Sequence, residues 1–197
     1  MFTGIIEYIG LVKKISKESY GLRLEIESSL FAKEQLGKSF AVNGVCLTQV
    51  HCQNQTSSFD IMEETLDKTD FENLKEGQSV HLEPAMGAQS SFDGHMVQGH
   101  VDGVAQIVSI TEKKLIVKLP SALKKFMVSK DSVAIDGVSL TIADLQDDLL
   151  TIALIPHTYK HTLFKTKANG FVNIEIDLFA KMIFKYLDQI HLSEITR

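Results

Sequence analysis

Seven residues, VNGVCLT (Val42 to Thr48), return 93 positions later as IDGVSLT (Ile135 to Thr141). The copy extends far beyond those letters. Thr3 to Glu7 aligns with Gln98 to Asp102, Leu22 to Ile26 with Leu115 to Leu119, and Phe59 to Phe71 with Thr151 to Phe164. Glu76 to Glu83 aligns with Asn169 to Glu175, and the offset stays between 92 and 95 throughout. A chain of 197 residues with such a repeat folds as two like domains, since two copies are too few for a solenoid and each half is long enough for its own small core. The boundaries read as 1–95 and 96–187, with GAQSSFDG (Gly87 to Gly94) as the nearest thing to a linker.

Each half reads as short strands. GIIEYIGLVKKI, LRLEIE, KSFAVNGVCLTQV, TSSFDIM and QSVHLE are rich in β-branched and aromatic residues and are punctuated by Gly and Asn. Strands at that spacing predict an all-β fold, a small barrel or sandwich in each half. SLFAKEQLG, SALKKFMV, ETLDKTDFENL and HTYKHTLF predict short helical turns between strands. The end of the chain differs. From Asp177 to Ile190, apolar residues recur at spacings of three and four, which predicts an amphipathic C-terminal helix over 177–192. It packs either on its own domain or against copies of itself.

The formal charge of -5, with acids and bases interleaved, argues against a nucleic-acid footprint. No apolar run approaches the ~20 residues of a membrane helix, and MFTGIIEYIG lacks the basic start of a secretory signal. The expected compartment is the cytoplasm. Cys46 and Cys52 lie on one alternating run and are expected as free thiols. No phosphate-cradling GxxxxGK[ST], dinucleotide GxGxxG or GxSxG elbow is present.

The positions where the halves disagree are the informative ones. Ile5 becomes His100, Asn43 becomes Asp136, Cys46 becomes Ser139 and Glu64 becomes His157. Two similar pockets with different tasks would diverge in this way. Asn43-Gly44 and Asp136-Gly137 are strong turn signals. Beyond each turn, Cys46 and Thr48 share one strand face, as do Ser139 and Thr141; that face either lines a cavity or lies outside. His95 and His100 sit among glycines as turn residues or as an accessible acid/base. Their spacing fits no metal pattern, so no metal is expected. His51, His81, His161 and His191 read as solvated.

MFTGIIE, VNGVCLT, GHMVQGHVDG, IDGVSLT, LIPHT and VNIEID together, in this order along the whole chain, resemble the riboflavin synthases of the alpha-chain type. The resemblance implies two similar six-stranded β-barrels plus a C-terminal α-helix that joins three chains in a homotrimer. It implies a dismutation of two 6,7-dimethyl-8-ribityllumazine molecules without cofactor. A four-carbon unit passes between them to give riboflavin and 5-amino-6-ribitylamino-uracil. Each site is expected to join the first barrel of one chain to the second barrel of a neighbour.

Carried over by position, the first barrel's substrate-binding segments are Gly4-Ile5-Ile6, Val45-Cys46-Leu47 and Asp60-Ile61-Met62-Glu63-Glu64-Thr65. The second barrel's are Gly99-His100-Val101, Val138-Ser139-Leu140 and Ala153-Leu154-Ile155-Pro156-His157-Thr158, with Lys130 reaching across the interface. Chemistry is expected at His100, Ser139, Thr141, Cys46 and Asp177, with Ser39 and Asp136 behind them. A positioned imidazole or hydroxyl takes a proton from the acidic 7-methyl group of one lumazine, and Ser139, Cys46 or water adds at C7 of the other. Two departures from the family pattern lie at the junction: Asp93 stands where glycine is usual, and Pro84 where arginine is usual. The rival reading is a lumazine- or flavin-binding protein of the same fold without catalysis. A cofactor-free structural module would explain the repeat but not the asymmetric polar substitutions.

Overall fold

A computed structural model of the chain describes residues 1–32 and 36–195, with side-chain surroundings through residue 190. Parts of the SLFAKEQLG turn and the side chain of His191 therefore lie outside the described residues. Six strands, β1 (Tyr8–Glu18), β2 (Gly21–Glu27), β3 (Ser39–Val42), β4 (Val45–Gln53), β5 (Thr56–Met62) and β6 (Ser79–Pro84), close into an antiparallel barrel in the order β1-β2-β5-β4-β3-β6. The second half repeats it. Its strands are β7 (Gly103–Ile110), β8 (Lys114–Lys118), β9 (Ser132–Ile135), β10 (Val138–Gln146), β11 (Leu149–Ala153) and β12 (Phe171–Ile176), in the order β7-β8-β11-β10-β9-β12.

Even the irregularities are duplicated. Register shifts at Val12/Lys14 and Gln49/His51 in the first barrel recur at Ile107/Ser109 and Ile142/Asp144 in the second. Bulges bend and twist strands, and a six-stranded sheet needs such bends to close. The expected turns are present: α1 (Glu63–Lys68) and α3 (Pro156–His161) follow β5 and β11, and the shorter α2 (Ser121–Lys124) follows β8. The C-terminal helix α4 runs over Leu178–Ile195.

Strand alternation turns one face of each strand into its barrel, and β3, β6, β9 and β12 are buried on their other face as well. Phe31, Phe40 and Phe59 meet edge-on or tilted in the first barrel, with ring centroids 5.2 to 6.1 Å apart. The second barrel is filled by aliphatic side chains such as Leu115, Val117, Ile135, Ile152 and Ile174. The fold tolerates this exchange because volume and pattern, not identity, fill a core.

The barrels meet across an approximate twofold. The segments leading into β1 and β7 pair with each other, Phe2 N–H donating to Val97 O at 2.8 Å and Val97 N–H to Phe2 O at 3.2 Å. Phe2, Val97, Ala41 and Ala134 form a small junction core. The two hairpin turns stack back to back: a Cβ on Gly44 would lie 2.5 Å from Gly137 N, and one on Gly137 would lie 2.8 Å from Gly44 N. Both glycines have φ near +80°, behind Asn43 and Asp136 at φ +43° and +46°, as a type I′ turn requires.

A polar clasp flanks these turns. Asn43 Oδ1 accepts from His81 N–H, and Asp136 Oδ1 accepts from Asn173 N–H, each at 2.8 Å. Each turn is then gripped by the other barrel, Asn173 Nδ2 donating to Asn43 O at 2.9 Å and His81 Nδ1 lying 3.0 Å from Asp136 O. The expectation of a solvated His81 is wrong: the residue is 1% exposed. SVHLE alternates, but this strand is covered on its outer side by the second barrel, so the polar position is buried. Leu163 N–H donates to His81 Nε2 at 2.8 Å. That fixes the tautomer, with the proton on Nδ1, and burial pushes the imidazole pKa down to about 4. His51 and His161 are exposed as expected.

Candidate functional site

The lead segments that pair at the twofold do not stay with their own barrels. Gly4 O accepts from Ser139 N–H at 2.8 Å, and Gly99 O accepts from Cys46 N–H at 2.9 Å. Ile6 packs against the second core and Val101 against the first. The sequence allocation of these segments is therefore reversed. Gly4-Ile5-Ile6 covers the second barrel, beside Ser139, and Gly99-His100-Val101 covers the first, beside Cys46. Sequence order placed each lead with the strands that follow it; the antiparallel crossing at Phe2 and Val97 sends it to the neighbour. The contact admits only glycine. A Cβ on Gly4 would lie 2.7 Å from Ser139 Cβ and one on Gly99 2.6 Å from Cys46 Cβ, at φ +79° and +80°.

One glutamate at the end of each barrel holds each lead. Glu83 on β6 accepts from Thr3 N–H at 2.7 Å, Thr3 Oγ1 at 3.0 Å and Gly4 N–H at 3.0 Å. Glu175 on β12 accepts from Gln98, Gly99 and His100 N–H at 2.7, 2.9 and 3.1 Å. Both are buried, and burial raises both carboxyl pKa values against the pull of those N–H groups. Neither glutamate was singled out from sequence. The signal was present, since each ends its repeat at the same aligned position.

Val45 and Leu47 point into the first core, and Val138 and Leu140 into the second. Cys46 and Thr48, like Ser139 and Thr141, therefore lie on the outer barrel surface, where Cys46 nonetheless lines a cavity. Ile61 and Leu154 are also core residues, so only their backbone is available to a ligand. Around Cys46 the lead segment, the start of α1 and β4 enclose a cavity of about 280 Å³, lined by Cys46, Glu64, Thr65, Gly99, His100 and Val101 among others. His100 is exposed there, held through its backbone by Glu175. The second barrel brings Gly4, Ile5 and Ile6 to Ser139, with α3 carrying Pro156, His157 and Thr158 in the place of α1. Thr65 O and Thr158 O each accept the hydroxyl of a threonine four residues on, at 2.7 Å.

Here the halves part. His95 Nδ1 lies 2.7 Å from Ser139 Oγ, while its buried Nε2 has no hydrogen-bond partner among the described residues. Burial lowers the His95 pKa, with Asp177 and Asp131 pulling it back. Asp177 also caps α4, accepting from Phe179 N–H at 2.8 Å. Sequence reasoning chose His100 over His95 from the same glycine-flanked motif; the structure puts His95 on the serine.

The remaining candidates are placed as follows. Ser39 faces Thr48 across β3 and β4, and Thr141 faces Ser132 across β10 and β9. Asp136 is fully buried, with one oxygen on Asn173 N–H and the other 2.6 Å from Lys167 Nζ; it holds the turn and has no oxygen left for a ligand. Asp60 is engaged by Tyr20 and Arg23 at 2.7 and 2.8 Å, which holds its carboxyl below the usual range. Met62, Glu63, Ile155 and Ala153 are exposed, as is Lys130, whose φ is +75°. No group of three or more His, Cys, Asp or Glu is arranged around a metal position among the described residues. Cys46 and Cys52 are free. No helix among the described residues is long and apolar enough to cross a membrane.

Comparison with known proteins agrees with this geometry. A family model described as the lumazine binding domain matches twice, over residues 3–85 and 98–177. The chain is 42% identical to a riboflavin synthase of Bacillus amyloliquefaciens, covering 100% of this chain and 93% of that protein. It is 43% identical to one of Bacillus subtilis, covering 95% and 90%. Among solved structures it is similar to LumP bound to 6,7-dimethyl-8-(1'-D-ribityl) lumazine and to LumP bound to riboflavin. The TM-scores are 0.80 and 0.82, at 30% identity over 89% of this chain and 99% of that one.

Proposed function

The chain belongs to the riboflavin synthase family, and on that premise we propose that its two barrels each seat one 6,7-dimethyl-8-ribityllumazine for dismutation. One molecule gives a four-carbon unit to the other, yielding riboflavin and 5-amino-6-ribitylamino-uracil. The atoms of two identical substrates redistribute without oxidant or reductant, so no cofactor is called for. The observation that carries the reading is the pair of equivalent sites, each built from both halves and each different at its polar residue: Cys46 below Gly99 in one, Ser139 with His95 below Gly4 in the other.

The geometry assigns tasks. A cavity of about 280 Å³ is the size of one small heterocycle, so a reacting pair needs two sites brought face to face. Orientation of two bound rings supplies most of the acceleration, since effective molarities of ~10⁵ M or more are available from it. His95, kept neutral by burial and in contact with Ser139 Oγ, is the proton acceptor and relay for the second-barrel site. His100, exposed at the first-barrel cavity beside Cys46, has open access to a ligand proton. The Glu83 and Glu175 cradles position the segments from which these sites are made.

The facing of unlike sites comes from assembly. Phe179, Met182, Ile183 and Tyr186 are 57 to 66% exposed along α4, with Leu187 and Ile190 completing the stripe. The exposure of Phe179, Met182, Ile183 and Tyr186 supports a homotrimer joined through α4, with Lys130 reaching across, in a reducing cytoplasm that suits the free thiols. In this reading lumazine-binding units span 1–95 and 96–187, and the assembly helix spans 177–192. Incubating the pure protein with the lumazine alone tests the reading. Riboflavin absorbance should grow with an equal yield of the diamine product. Tight lumazine binding with no riboflavin would select the non-catalytic binding protein instead.

A further inference from the structure

The helix α3, whose His157 also lies in the second substrate-binding segment, carries a further feature. Its sequence is Pro156-His157-Thr158-Tyr159-Lys160-His161. Residues four apart share a helix face, and the two imidazoles are stacked there, ring centroids 4.1 Å apart and planes 25° apart. Both side chains are exposed. His161 Nδ1 lies 2.8 Å from His157 O. A carbonyl only accepts, so Nδ1 carries the hydrogen, and the neutral ring keeps its lone pair on Nε2. A ring proton given to a backbone carbonyl is the outer-shell arrangement that orients metal-binding histidines.

We propose that His157 and His161 form a two-histidine clamp for a first-row transition-metal dication of the nickel, copper and zinc class. Two nitrogens at about 2.1 Å from one ion lie roughly 3.0 to 3.4 Å apart, for bond angles between square and tetrahedral. The rings, whose centroids are 4.1 Å apart in the stack, must turn out of it so that their in-plane lone pairs converge on the ion. No third His, Cys, Asp or Glu joins them among the described residues, so water completes the coordination. The ligand class follows from the donors: imidazole favours copper, nickel and zinc, whereas magnesium seeks oxygen.

The test uses the untagged full-length chain and NiCl2 by isothermal titration calorimetry in a non-coordinating buffer. One site per chain is expected, with no heat from MgCl2. His161→Ala leaves a single imidazole and should weaken nickel binding about tenfold or more, because the second nitrogen binds at high effective concentration. His51→Ala, which removes an exposed histidine on β4, should leave the affinity unchanged. His161 is exposed near the end of α3, and matching urea midpoints for wild type and His161→Ala confirm that folding is intact. Wild-type nickel affinity in His161→Ala, or no nickel binding by the wild type, overturns the clamp. Neither result bears on riboflavin formation, which is assayed without metal.

Discussion

Acidification should loosen the junction between the barrels through one residue. His81 is buried and neutral, with Nδ1–H on Asp136 O and Nε2 accepting from Leu163 N–H. Protonation would set a second N–H against the Leu163 N–H, donor against donor, in a buried site. The folded pKa of about 4 lies below the ordinary histidine value of 6.5. The unfolded chain therefore binds more protons between those values, and stability falls as pH drops from 6.5 towards 4. At 1.36 kcal/mol per pH unit the full loss is about 3 kcal/mol, most of it reached by pH 4.5. Glu83 and Glu175 act in the opposite sense, because burial raises their pKa and the folded state takes up their protons first. A comparison cancels them. In His81→Gln the amide oxygen replaces Nε2 as acceptor but does not titrate. Urea unfolding of both proteins at pH 7.5 and 4.5 should show the wild type losing roughly 2 to 3 kcal/mol more than the variant. Equal losses would refute the assignment of His81 as a neutral clasp.

Glu175→Gln turns an amide nitrogen towards one of three buried N–H groups. It should cost about 1–3 kcal/mol, lower the melting temperature, and weaken lumazine binding at the Cys46 site more than at the Ser139 site. Gly137→Ala forces a side chain at φ +79° into the Gly44 turn, and separation of the barrels should appear as loss of about 2 kcal/mol or more in thermal unfolding. His95→Ala and Ser139→Ala should each slow riboflavin formation at unchanged oligomeric state, with a double variant no worse than about the slower single one, because they act as a unit. Met182→Glu with Ile183→Glu should give a folded monomer by sedimentation that still binds lumazine but forms no riboflavin; retained turnover by a monomer would sink the proposed assembly.

Much of this fold was legible because the repeat is written in the chain. A run rich in β-branched and aromatic residues located β5 at Thr56–Met62, and the turn chemistry of Asn43-Gly44 and Asp136-Gly137 located both hairpins. The spacing of Phe179, Met182, Ile183 and Tyr186 located α4 and its exposed stripe. What the letters hid is tertiary. His81 looks solvated because alternation reports which face of a strand a residue is on, not what docks on that face. His95 and His100 share one motif, and only the fold shows that one turns to Ser139 and the other stays open. The exchange of Gly4-Ile5-Ile6 and Gly99-His100-Val101 depends on a two-residue bridge between Phe2 and Val97 that no local pattern encodes.

That exchange explains why the barrels sit fused at a tight junction and not on a flexible linker. Were each lead to cover its own barrel, either half would own a complete site and the junction could drift freely. With the leads crossed, Cys46 is roofed by residues that Glu175 of the other barrel holds, and Ser139 by residues that Glu83 holds. A displacement of one barrel against the other then opens both sites at once. The stacked Gly44 and Gly137 turns and the buried clasp of Asn43, His81, Asp136 and Asn173 are the elements that resist such displacement. Substitutions in that clasp should thus lower affinity for lumazine at both barrels together, although none of its side chains lines the Cys46 cavity. Loss at one barrel alone, measured by titrating the two sites of His81→Gln, would show that the barrels are only neighbours.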